Sequence, residues 1–257
     1  MTRNYKMILE YDGSRYNGWQ RQGNTDNTIQ GKLESILSKY LCQDIEIHGS
    51  GRTDAGVHAI GQVANFRFDD RKFNGCQTDT EPKSLLKSIN SFLPEDIRIL
   101  SMEEVGDRFH ARLNAKEKTY RYCICVTDKK SVFDRKYCMA LNRLPDIDVM
   151  KSASEKFLGS HDLACFSDTK TKKSTVRRID SIAFSTEIKN NDTYIHIDFT
   201  GNGFLYHTVR LITGTLISIG LGEREPHIID DIFNTSNRKQ VPFMAPAEGL
   251  FLMKVTY

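Results

Sequence analysis

Residues 5–12, YKMILEYD, alternate apolar with polar side chains, the period of two that predicts a strand. The period then changes. In NTIQGKLESILSKYL (27–41), Ile29, Leu33, Ile36, Leu37 and Tyr40 recur at helical spacing, and Asn27 stands where it can cap the helix with Gln30 three residues on. IEIHG (45–49) and GQVANFRF (61–68) read as short strands. PKSLLKSINSFLP (82–94) reads as a second helix with Leu85, Ile89 and Phe92 on one face, closed by Pro94, and IRILSMEEV (97–105) as the next strand.

The order then repeats. KTYRYCICV (118–126) alternates as a strand. DIDVMKSASEKFLG (146–159) predicts a helix ended by Gly159, and VRRIDSIAFS (176–185) and TYIHIDFTG (193–201) predict strands. LYHTVRLITGTLISIGLG (205–222) is an apolar helix, PHIIDDIFN (226–234) a short one with Pro226 at its start, and GLFLMKVTY (249–257) a closing strand. Each half runs β-α-β-β-α-β. The expected fold class is α+β: two ferredoxin-like (βαββαβ) halves forming one extended, mostly antiparallel sheet, with helices on one face and a central cleft. The halves are residues 1–110 and 111–257, with the boundary inside 106–115. Such a fold hosts many functions and names none.

Composition narrows the classes. The 257 residues are enough to bury a core without staples. No apolar run approaches the roughly 20 residues of a membrane span, and no secretory signal precedes the first strand, so the expected compartment is the cytoplasm. Six scattered cysteines, Cys42, Cys76, Cys123, Cys125, Cys138 and Cys165, form no C-x-x-C pair and read as reduced thiols. The net charge of +3 says little about partners. The run KTKKSTVRR (170–178), five cations and no acid, says more: it fits a solvated loop or an edge that meets phosphates.

Candidate chemistry gathers in few places. In SGRTDAGVHAIGQVANF (50–66), Asp54 lies between strands with Gly51 and Gly56 on either side, which permits unusual backbone angles and close approach of a ligand. On spacing alone an Asx-type turn is the simpler reading. Arg52 is a cation two residues away. Asp54 and His58 are four apart, but the residues between them do not read as a helix, and no H-E-x-x-H or other close ligand cluster accompanies them, so no metal is expected. The G-x-S-x-G, P-loop and G-x-G-x-x-G motifs are absent. Tyr120 and Tyr122 share one strand face. Tyr122 fits a core stripe, while Tyr120, near the strand start, can turn its hydroxyl toward a cleft or stack on a base. Arg210 sits inside an apolar helix, where a buried cation needs a partner or must reach the surface.

Five ordered blocks carry a resemblance over nearly the whole chain. YDGSRYNGWQRQ (11–22), GRTDAGVHAIGQVANF (51–66), FHARLNAKEKTYRY (109–122), FLYHTVRLITGTL (204–216) and APAEGLFL (245–252) closely resemble the TruA family of tRNA pseudouridine synthases. The resemblance implies an isomerase that turns uridines of the tRNA anticodon arm, positions 38–40, into pseudouridine. It implies that Asp54 is the nucleophile, that Tyr120 packs against the target uracil, that Arg210 pairs with Asp54, and that Arg52 enters the RNA where the flipped base has left. It also implies a homodimer that needs no cofactor and no metal.

The chemistry suits these residues. The reaction breaks N1–C1′ and joins C5 to C1′, adding no atoms, so no redox group or nucleotide is required. The target must leave the stack at a cost of a few kcal/mol, part of which an aromatic ring recovers. A carboxylate is ionised near neutral pH without assistance. Two other classes make different predictions. An inactive RNA-binding relative would be indifferent to Asp54→Asn, and a metal-dependent phosphodiesterase built on Asp54 and His58 would be stopped by a chelator.

Overall fold

The structure, a computed structural model, describes residues 2–71, 79–169 and 173–257. It is mixed α+β with mostly antiparallel pairing, and the chain divides into two compact units. The first comprises Met1–Ala115 with Leu252–Tyr257, the second Lys116–Phe251.

The first unit contains β1 (Thr2–Tyr11), α1 (Ile29–Leu41), β2 (Ile47–Gly49), β3 (His58–Asp69), α2 (Pro82–Phe92) and β4 (Ile97–Val105). Strand β1 is central, antiparallel to β3 on one side and β4 on the other, and β2 pairs antiparallel with β3. This is the ferredoxin-like arrangement that the alternation of periods predicts. Tyr5, Met7, Leu9 and Tyr11, at every second position of β1, are buried, as are Ile29, Leu33 and Leu37 of α1 and Leu85 and Ile89 of α2. Each fully buried aliphatic side chain contributes roughly 1.5–3 kcal/mol by leaving water. The predicted third member of the α2 face, Phe92, is the last residue of the helix and is 62% exposed, its ring centroid 6.2 Å from that of Tyr40 on α1.

The cap of α1 differs from expectation. Thr28, not Asn27, is the N-cap, and its hydroxyl accepts the Gly31 N–H at 3.1 Å. Such a bond is worth about 1 kcal/mol. Asn27 instead secures the preceding turn: its amide donates to the Arg15 carbonyl at 2.5 Å and its own carbonyl accepts the Asn17 N–H at 2.8 Å.

The second unit contains β5 (Glu117–Val126), β6 (Met139–Leu141), α3 (Ile147–Ser154), β7 (Gly159–Asp162), β8 (Val176–Lys189), β9 (Asp192–Gly201), α4 (Thr208–Gly220) and α5 (Ile228–Thr235). Strands β5, β9, β8 and β7 follow in that order, all antiparallel, and β6 lies parallel to β5. The short strands β6 and β7 have no counterpart in the sequence pattern. Gly159 does adopt a left-handed φ of +94°, but it opens β7 rather than capping α3, which ends at Ser154 and tightens into a 3-10 turn. Tyr122, Ile124, Ile195, Ile197 and Phe199 are fully buried, and every residue of α4 is buried. The closing strand β10 (Leu250–Thr256) begins here and continues, from Leu252, as part of the first unit.

Cys123, Cys125, Cys138 and Cys165 carry free thiols, as read from the sequence. Cys42 is disulfide-bonded, which corrects that reading at this position, and Cys76 lies outside the described residues. Among the described residues no helix is long and apolar enough to cross a membrane.

Candidate active site

Asp54 is half-buried and opens a tight turn. Its carbonyl accepts the Val57 N–H at 3.1 Å, and Gly56, third in the turn, has a φ of +79°. A type II turn requires that left-handed angle at its third position, and glycine adopts it without strain. This is the physical reason for the D-A-G of the motif.

The turn is clamped from below by the first sequence block. The Trp19 N–H donates to the Thr53 carbonyl at 3.0 Å. Gly18, with a φ of +87°, lies so close that a Cβ there would meet the Thr53 carbonyl oxygen at 2.7 Å. A Cβ on Gly13 would fall 2.0 Å from the Val57 carbonyl oxygen. The Gly13 N–H donates to Nδ1 of the buried His58 at 3.1 Å, and Asp12 Oδ1 lies 3.2 Å from the same nitrogen. His58 therefore faces inward to the YDG segment. Trp19, 1% exposed, fills the space under Gly49, where a Cβ would meet the indole at 2.5 Å.

Polar side chains complete the support. The Tyr11 and Thr53 hydroxyls are 2.8 Å apart. The Gln62 amide donates to the Gly51 carbonyl at 2.9 Å and accepts from the Ser50 hydroxyl at 2.7 Å. Burial raises the Tyr11 phenol well above its ordinary pKa, so it stays a neutral partner. Arg52, on the approach to the turn, is exposed, and its Nε donates to Gln20 Oε1 at 2.8 Å.

Tyr120 and Arg210 belong to the second unit. Tyr120, on β5, is 8% exposed and meets Phe204 edge to face with ring centroids 5.4 Å apart. Phe204 ends the GNGF turn, which by sequence carries no message. Gly201 within that turn is indispensable to the packing: a Cβ would fall 2.3 Å from the Arg178 carbonyl oxygen. Tyr122, two residues along β5, is core, as its position predicts, and donates to the Pro246 carbonyl at 2.8 Å.

Arg210 is buried rather than reaching for solvent. Its Nε donates to the Ala245 carbonyl at 2.7 Å, and its own carbonyl accepts the Ala245 N–H at 3.1 Å. The same loop lies on Gly214, whose missing Cβ leaves room for the Phe243 carbonyl oxygen. A guanidinium held by its Nε keeps its terminal nitrogens on one side. Of the basic run at 170–178, residues 170–172 lie outside the described residues, while Arg178 pairs with Asp180 at 2.7 Å.

Sequence reasoning missed Trp19, Gln20, Glu34 and Gln62, and gave Gln30 a capping role where its side chain instead bonds Gln20, Glu34 and the Ile47 carbonyl. One signal was present: Gln30, Glu34, Leu37 and Leu41 stand at i, i+4, i+7 and i+11, so two polar residues occupy the buried stripe of α1.

Comparison with known proteins places the chain in a family. A family model described as tRNA pseudouridine synthase matches residues 7–114 and 153–257. A protein of Bacillus sp. strain KSM-64, tRNA pseudouridine synthase A, is 46% identical over 255 residues, covering 99% of both chains. The tRNA pseudouridine synthase A 2 of Bacillus cereus strain ZK / E33L is 44% identical with the same coverage. A protein of Clostridium tetani, tRNA pseudouridine synthase A 1, is 42% identical over 99% of this chain and 100% of its own. The acid on its glycine turn thus stands in a chain that belongs to the tRNA pseudouridine synthase family, isomerases that turn uridine into pseudouridine in tRNA.

Proposed function

We propose that this enzyme isomerises uridines at positions 38–40 in the anticodon arm of tRNA, with Asp54 as nucleophile. The observation that supports it most is the Asp54 turn: a half-buried carboxylate on a glycine turn whose backbone is pinned by Trp19, Gly18 and Gly13. A fixed acid is what attack on a splayed nucleotide demands, because the reacting atoms must meet at about 3 Å.

The N1–C1′ bond breaks with its electrons leaving on the uracil. Asp54 either bonds to C1′ or takes the neighbouring sugar proton to give a glycal. The uracil turns and C5 bonds to C1′, either displacing the Asp54 carboxylate from C1′ or adding to the glycal as Asp54 returns the proton to C2′. The C5 proton is then lost to a base and N1 gains a proton, so the product is an isomer. Tyr120 packs on the uracil ring and serves as that base. Arg210 acts on the same uridine as a cation. Arg52 enters the stack that the base has left. The enzyme works in the cytoplasm as a homodimer that holds tRNA with both subunits.

The target is tested with unmodified tRNA transcripts bearing uridines in the anticodon arm, mapped for pseudouridine nucleotide by nucleotide. Product at positions 38–40 is expected, whereas product confined to another arm of the tRNA would overturn the assignment. Light scattering at micromolar protein should give the mass of two chains; the mass of one would remove the dimer.

A further inference from the structure

Four polar side chains of the first unit form a line that begins at a buried acid and ends at Arg52. Glu34, 5% exposed within α1, accepts the Gln30 amide N–H at 2.8 Å, the Ile47 N–H at 3.0 Å and, at its other oxygen, Arg21 Nη1 at 3.3 Å. Gln30, 6% exposed, also donates to the Ile47 carbonyl at 3.0 Å, so its NH2 end is committed inward. Its oxygen must then face outward, where it accepts from Gln20 Nε2 at 2.7 Å and from the Arg21 N–H at 3.0 Å. That commits the NH2 end of Gln20 as well. The remaining Gln20 oxygen accepts Arg52 Nε at 2.8 Å.

The polarity is forced at each step. Reversing either amide would set donor against donor, at Arg52 for Gln20 and at Gln20 and Arg21 for Gln30. A carboxylate two amides away therefore dictates that an acceptor waits for Arg52. Main-chain bonds hold the line to α1: the Ile29 N–H donates to the Gly18 carbonyl and the Gln30 N–H to the Trp19 carbonyl. An exposed arginine samples many rotamers and loses that freedom when it binds. Holding it by Nε fixes the guanidinium plane and leaves both terminal nitrogens for a phosphate or a base edge.

We infer that Gln20 is a positioning residue for Arg52, oriented through Gln30 by the buried Glu34. The inference rests on the proposed action of Arg52 on RNA. Its test is the single-turnover rate of pseudouridine formation on a tRNA transcript for Gln20→Ala, Arg52→Ala and the double variant, with thermal melting of each. Gln20→Met, which fills the same space, replaces the alanine variant if that one melts early.

Gln20→Ala should slow the step about tenfold, the scale of a lost hydrogen bond to a charged group, while melting with the wild type. Arg52→Ala should slow it at least as much, and the double variant should match Arg52→Ala alone. A wild-type rate in Gln20→Ala, or a double variant that loses the product of the two single losses, would refute the relay. If Arg52→Ala runs at the wild-type rate, the role of Arg52 fails and the relay with it, while an inactive Asp54→Asn would leave the reaction assignment standing.

Discussion

Buried polar side chains, more than apolar ones, set the character of individual residues here. Glu34, Gln30, Gln62, Asn4 and Asn65 are all nearly inaccessible, and each has its hydrogen bonds met. Asn4 and Asn65 bond each other at 3.0 Å and hold the 106–111 segment through Gly106, Phe109 and Ala111. Such groups are costly when unpaired, so a substitution at one of them strands its partners. The thiols show the opposite case. Burial pushes Cys123 and Cys138 up to about 12, despite Cys123 Sγ lying 3.3 Å from His196 Nδ1. Burial also lowers His196, so no imidazolium stands by to favour a thiolate. The raised values mean that both thiols stay protonated through neutral pH and begin to ionise only in strong base. Iodoacetamide at pH 8 should therefore leave Cys123 and Cys138 unlabelled in the native protein and label them on unfolding. Rapid native labelling of either would contradict this reading.

The elements show which parts of the fold are legible in sequence. Strand β1 and helices α1 and α2 are readable because each keeps one period over a long stretch, and α4 because its apolar run is too long for a strand. Strands β6 and β7 are not, because three or four residues carry no detectable alternation. Only the family resemblance points to Asp54 as a nucleophile; by spacing it is a turn residue. Its supports stayed hidden for a plain reason. Gly18, Trp19 and Gly13 meet the Asp54 turn from over 30 positions away in sequence, and no local pattern encodes such an encounter. Gly18→Ala tests the clamp. With a φ of +87° and the Thr53 carbonyl oxygen in the way, the new methyl must displace the turn. A loss of about 1–3 kcal/mol in stability is expected, with a fall in turnover beyond it. Unchanged turnover in a stably folded variant would show that the clamp does not set the acid.

For the whole molecule, the net charge of +3 is too small to bind RNA without local concentration. Arg52 is exposed, and basic residues cluster in the 170–178 run. If these meet the phosphate backbone, tRNA affinity falls steeply as salt rises, and Arg52→Ala lowers the slope of log affinity against log salt by about one. An affinity indifferent to salt would exclude phosphate contact as the source of binding. In the proposed relay, an acid buried in a helix fixes how a surface arginine is held.

The account depends most on Asp54. The decisive measurement compares the wild type with Asp54→Asn on an unmodified tRNA transcript, with pseudouridine mapped by position and tRNA affinity measured in parallel. The substitution keeps the size of the side chain, exchanges one acceptor oxygen for an amide NH2 and removes the nucleophilic charge. The account predicts pseudouridine in the anticodon arm with the wild type, a loss of about three orders of magnitude or more with Asp54→Asn, and affinity within a few-fold of the wild type. Comparable product from both proteins would contradict it and return Asp54 to the role its spacing first suggests, a residue that shapes a turn.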